Sequence, residues 1–199
     1  MKPIRFLALF AIVFLLVPHI LLSTGCAPQN IIRLSYPSSP MEENAQPSSR
    51  NKAVCVVDFE NKRERAAIGE RLSGEKLLPR TPVDRWLAGS LAEELKRAGY
   101  TVAIAETLEN ALSQSPDFII IGESEEVWLA ETSITRFTGS IRASIALLDG
   151  TGRDITKNSY NSVYSKTVLP IYGVPQTLLN EALAEMLQPA SRLLVQMMQ

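Results

Sequence analysis

The sequence predicts an α+β fold, an α/β two-layer domain on a mixed sheet of about five strands. Three observations predict it. A β-branched run at 53–59, an amphipathic helical pattern at 81–98 and a second apolar run at 101–105 follow in β-α-β order, which pairs strands in parallel. Three alternating segments then occupy 118–133, 137–148 and 155–169, the signature of an antiparallel meander. A second amphipathic pattern at 175–199 closes the chain, so two helices can cover one face of the sheet.

In the first strand, Val54, Val56 and Val57 suit a buried position, and Cys55 reads as a small buried hydrophobe. Residues 60–80 are polar, with Gly69 and Gly74, and predict a long excursion before the helix. The helix has Thr81 as N-cap, Pro82 at the first position and Asp84 in the first turn. Its apolar face is Val83, Trp86, Leu87, Leu91, Leu95 and Ala98, and Gly99 supplies the left-handed stop. A short helix is expected at 106–114. In the meander, Ile141, Ala143, Ile145 and Leu147 alternate inward, and residues 149–152 form a tight turn. The last helix buries Leu178, Leu179, Ala182, Met186, Leu187, Leu193, Leu194 and Met197, and Pro189 is expected to kink or break it.

The first 25 residues read as a secretory leader. Lys2 and Arg5 are followed by an apolar run from Phe6 to Leu22, then Ser23, Thr24, Gly25 and Cys26. Small residues directly before a cysteine resemble the bacterial lipobox, which implies cleavage after Gly25 and acyl chains, palmitate among them, on Cys26. Two other readings stay open: an uncleaved anchor, at the lower edge of spanning length, and an ordinary leader with an incidental cysteine. Ala27 after the cysteine, where an aspartate would signal retention, implies by the same resemblance the outer membrane, with the domain facing the periplasm. Residues 26–51 are rich in Pro, Ser, Gln and Asn and predict a flexible tether, with Ile31, Ile32 and Leu34 as an alternative edge strand. Residues 52–199 then form a single domain.

Twenty basic and 21 acidic residues give a formal charge of −1. Loss of 1–25 leaves 18 against 21, a balance with no global pull toward nucleic acid. The lone histidine is His19, inside the leader. A mature chain without histidine has no Ser-His-Asp or Cys-His pair and no His-ligated metal. No catalytic, metal or cofactor residue is expected.

Two groups merit attention as an interaction surface. Asp58, Glu60, Lys62, Arg63, Glu64 and Arg65 crowd the end of the first strand, where open α/β sheets bind ligands; the alternative is a solvated loop with exchangeable ion pairs. Tyr160, Tyr164 and Lys166 share one face of the last strand, as a recognition surface or packed on a neighbour. Glu123, Glu125, Glu126 and Glu131 line the third strand, and alternation sets Glu126 opposite Glu123 and Glu125.

The run Val56 to Arg63, the helix opening at Pro82 and closing at Gly99-Tyr100, and the stretch Asp117 to Gly122 together resemble the YajG-type family of uncharacterised bacterial lipoproteins. The resemblance covers roughly residues 53–199 and implies no catalytic residues. The expectation is a membrane-anchored envelope lipoprotein that binds or scaffolds an envelope protein partner, without enzymatic activity. The alternatives are an accessory lipoprotein of a lipid or envelope transport system, which needs an apolar groove between helix and sheet, and a carboxylate-dependent hydrolase, which needs two converging buried acids.

Overall fold

The computed structural model describes residues 30–36, 52–168 and 174–199. The leader, Cys26 and most of the expected tether lie outside the described residues. The strands are β1 (Ile31–Ile32), β2 (Ala53–Val57), β3 (Glu60–Asn61), β4 (Gly69–Glu70), β5 (Lys76–Pro79), β6 (Thr101–Ala105), β7 (Phe118–Glu131), β8 (Arg136–Asp149) and β9 (Asp154–Thr167). The helices are α1 (Val83–Arg97), α2 (Leu108–Ser113) and α3 (Val174–Met197). Among the described residues no helix is long and apolar enough to cross a membrane.

The sheet is mixed, as expected, and β7 is its spine. Its first half pairs in parallel with β2, which pairs in parallel with β6, while β8 and β9 follow as antiparallel neighbours. The long excursion at 60–80 is in fact threaded by three short strands. β3 and β4 pair with β7 in parallel, and β5 folds back on β4. Elements of two to four residues carry no period, which is why only turn composition was visible there. Gly69 permits the β4–β7 contact, because a Cβ there would sit 2.4 Å from the Leu129 carbonyl oxygen.

Residues 30–36 do not behave as spacer: the edge-strand reading of Ile31 and Ile32 is the one found. β1 pairs in parallel with β5, the Leu78 and Arg80 amides donating to Asn30 and Ile32. Ile32 and Leu34 are buried in the main core. Gln176 Nε2 donates to Ser35 Oγ at 2.7 Å, and Tyr36 Oη donates to Glu94 Oε1 at 2.7 Å. Burial, reinforced by Glu94, pushes the Tyr36 hydroxyl up to about 12.

α1 and α3 pack over one face of the sheet, and Leu87, Leu91, Leu95, Leu179, Leu183 and Leu187 are fully enclosed between helix and sheet. The N-terminus of α1 differs from expectation by one residue. Pro82, not Thr81, is the cap, and having no side-chain acceptor it makes no capping bond. The C-terminus is a Schellman turn: Gly99 at φ 91° donates to Lys96, and Tyr100 donates to Leu95. α3 runs unbroken through Pro189. Pro189 and Glu185, whose carbonyl loses its donor, are both exposed, so water can serve that carbonyl while Met186 and Ala190 hold the buried side. Met198 rather than Met197 is buried at the end. α2 covers the opposite face, making a second small core with Cys55, Val57, Ala105, Ala111, Ile119 and Leu148. Burial pushes the Cys55 thiol up, which fits its reading as an inert core residue.

Candidate functional site

The sheet face away from α1 and α3 is apolar only where α2 covers it. Beyond that the outward positions of β7 and β8 are Glu123, Glu125, Glu126 and Trp128, and Ser140, Arg142 and Ser144. Strict alternation would put Glu126 on the other side. A β-bulge corrects this expectation: Ser124 pairs with Ala143 and Glu126 with Arg142, leaving Glu125 without a partner. One extra residue shifts the phase of β7. Ser124 before the bulge and Val127 and Leu129 after it all face the helices and are buried. The three glutamates therefore share the outward face.

The glutamates are held by cations and hydroxyls. Arg142 reaches Glu125 at 3.1 Å through Nε and Glu126 at 3.4 Å through Nη2. Ser144 Oγ donates to Glu125 and Ser140 Oγ to Glu126. Lys157 on β9 takes Glu123 at 3.2 Å. Both Glu125 and Glu126 retain substantial exposure, at 30% and 39% of the side chain. That is far from the buried converging pair a hydrolase of this kind requires. Among the described residues no group of His, Cys, Asp and Glu is arranged to hold a metal.

The chain beside β7 leaves the sheet at this same place. β3 pairs with β7 at Glu123 and Ser124, and β4 rejoins it at Leu129 and Ala130. Lys62 and Ile68 still bond to β7 through their backbones, and residues 63–67 between them leave an open cleft of about 410 Å³. Its floor is Glu125, Glu126 and Trp128, its wall residues 62–65 with Ala67, Glu64 lying among the cations, and Arg142 stands at the rim. The Arg65 guanidinium lies 4.9 Å from the Trp128 ring centroid and Lys76 approaches it at 5.9 Å, a cation–π arrangement. Arg63 bonds Asn61 Oδ1 through its amide and Nε, while its Nη1 is buried without a hydrogen-bond partner. Burial lowers the pKa of Arg63, and the charge of Asp84 on α1 opposes that.

The candidate residues therefore separate. Arg63 belongs to the cleft. Glu60 stands exposed outside it, ion-paired with Lys62, an interaction that raises the Lys62 pKa. Asp58 is bridged by Arg85 of α1 at 3.3 Å, and Arg85 also takes Glu106 at 3.4 Å. The ends of the parallel strands β2 and β6 are thus spanned by an ion-pair bridge, the charge-paired alternative to a binding patch there. Tyr160 and Tyr164 correct the expectation of a recognition surface. They point to the helix side and pack on the main core, beside Ser162, whose Oγ donates to the Ala182 carbonyl at 2.6 Å. Lys166 on that face pairs with Glu181 at 2.7 Å. Trp128 and Arg142 were not singled out from sequence as binding residues. Their role depends on the bulge and on pairing between distant segments.

No protein-family model matches this chain, and no curated protein matches it either. Solved structures do resemble it. Protein XCC0632 from Xanthomonas campestris, of the DUF330 family, superposes with a TM-score of 0.52 at 14% identity, over 83% of this chain and 91% of its own. Protein CT253 from Chlamydia trachomatis gives 0.50 at 7% identity, over 74% and 97%. Lipoprotein GNA1162 from Neisseria meningitidis is more distant, at 0.40 and 14% identity, over 71% and 99%. What XCC0632 and CT253 share with this chain is the fold.

Proposed function

We propose that the chain is an envelope lipoprotein of YajG type that works by binding, without a reaction of its own. In this reading Cys26 is cleaved free of the leader and carries palmitate-bearing acyl groups. The domain then hangs in the periplasm from the outer membrane, and anchoring raises its effective concentration for a membrane-bound protein partner. The observation that carries the binding role is the cleft beside the β7 bulge. It offers an exposed Arg65 guanidinium stacked on a half-exposed Trp128, with the Arg63 side chain behind them in the wall. A partner segment with a carboxylate for Arg65 and an apolar or planar side chain for Trp128 matches it. Arg and Trp are also the residue types that dominate interface energies. The acyl-chain alternative is less supported, since buried leucines fill the space between helices and sheet.

The test is a photo-crosslinking amino acid at Lys62, on the cleft wall, and at Arg192, exposed on α3 across the sheet, in intact cells. The expected result is a reproducible adduct from position 62, lost when Arg65→Glu is added, with none from 192. Equal or absent adducts at the two positions reject the cleft as the contact. Labelled palmitate entering a Cys26→Ser chain rejects the anchor.

A further inference from the structure

We infer that the β1 edge of the sheet, through Ile31, Leu72 and Leu78, is seated on the lipid surface that holds the chain's own acyl groups. The inference rests on the lipoprotein reading above and adds to it which side of the domain meets the bilayer. Three residues separate Cys26 from Asn30, the first described residue. Four Cα steps span at most about 14 Å. The headgroup layer takes up roughly 5–8 Å of that. Asn30 is fixed to the domain: its carbonyl accepts from Leu78, and its side-chain oxygen accepts from Arg71 Nε at 3.0 Å. The start of β1 is therefore drawn against the membrane instead of floating on a long tether.

The surface around that point is the chemistry a bilayer takes. Ile31 and Leu78 are register partners on the edge, 56% and 47% exposed. Leu72, 57% exposed, stands at the β4–β5 turn beside the Arg71 that holds Asn30. Ile31 and Leu78 each lie next to a buried neighbour, Ile32 and Leu77, so their apolar side chains are turned outward while the strands stay fixed in the core. Arg33 and Arg80, both exposed, follow the two strands and suit anionic headgroups. Nearby acids are largely matched: Glu70 pairs with Lys76, and Glu131 with Arg71 at 3.7 Å, leaving Glu75 exposed at the turn. Lys76, on the same strand face as Leu78, lies over Trp128, so seating this edge sets the cleft beside the bilayer.

The experiment uses the full lipidated chain in phosphatidylethanolamine–phosphatidylglycerol vesicles with nitroxide-labelled headgroups. A fluorophore is attached at Leu78→Cys or, as control, at Val163→Cys, 66% exposed on β9. Native Cys55 is buried and takes no label without unfolding. Quenching several-fold stronger at 78 than at 163 is expected. Adding Ile31→Ser and Leu72→Ser is expected to abolish that difference while the protein still floats with the vesicles. Equal quenching on a chain whose Cys26 carries acyl mass overturns the seating alone. A chain with no acyl mass on Cys26, which does not float, overturns the anchor and the seating together.

Discussion

The two faces of β8 are made by the same strand and share nothing else. Phe137, Ile141, Ala143, Ile145 and Leu147 point to α1 and α3 and are buried, and Thr138, Ser140, Arg142 and Ser144 point away into hydroxyls and ion pairs. The inner face is where stability resides, because removing apolar area from water is the main favourable term of folding. The outer face can vary its chemistry at little cost, since exposed ion pairs contribute little. A bulge, an exposed Arg65–Trp128 stack and a cleft are therefore found where the fold has least need of the side chains.

The largest effect that should separate the faces is a cavity on the inner one. Leu91→Ala, at a fully buried position on α1, is expected to cost about 2–5 kcal/mol in chemical unfolding. A cost under 1 kcal/mol would mean that the helix layer is not the core. Next is Gly122→Ala on β7. The new Cβ would lie 2.5 Å from ring carbons of Phe59, which closes the start of the β2–β3 turn over it. Overpacking of this kind costs about 1–3 kcal/mol. Phe59→Leu in the same chain should recover part of the loss, because the two residues touch. Strictly additive costs would show that the ring is not what Gly122 accommodates.

On the outer face Arg142→Ala should change stability by less than about 1 kcal/mol, the range for exposed pairs. Its visible consequence should be in binding: the crosslink from position 62 weakens while thermal unfolding hardly moves. A loss as large as that of Leu91→Ala would make the outer network structural and erase the contrast between the faces.

This contrast also marks what could be read from the chain. α1, its glycine stop, the parallel β2–β6 start, the three-strand meander and α3 follow from periods of 3.6 and 2 that buried stripes must obey. Arg63 was visible as part of a charged crowd after β2. The cleft was not, for two reasons. Its floor depends on one unpaired residue, Glu125, that reverses the phase of β7, and no local pattern announces a bulge. Its wall depends on β3, β4 and β5, which exist only because β7 offers an edge. The docking of residues 30–36 is similar. A Pro- and Ser-rich surrounding spoke for a spacer, and four residues, Ile31 to Leu34, with their partners on β5 and the helices decided otherwise. Propensity is a weak prior wherever tertiary pairing supplies the hydrogen bonds.

The smallest effect concerns Asp149, in the β8–β9 turn at the end of both faces. It accepts from the Thr151 hydroxyl at 2.6 Å, from the Thr151 amide at 2.9 Å and from the Arg153 amide at 3.1 Å. The Thr151 hydroxyl bond first, then the backbone bonds and the Arg153 charge, hold its carboxyl down to about 2. An unfolded aspartate titrates near ~3.9. A lowered folded pKa means that the folded state favours the ionised form, so the contribution is complete above the unfolded value and is lost as pH falls through the folded one. The difference in unfolding free energy between the natural chain and Asp149→Ala should therefore be flat from neutral pH to about 5. It should shrink as pH falls from about 4 toward 2. Asp149→Asn should keep part of the turn, because an amide oxygen can still accept, yet show no such pH dependence. A difference that grows on acidification would mean that the turn prefers the protonated acid, and the hydrogen bonds assigned to its carboxylate would have to be withdrawn.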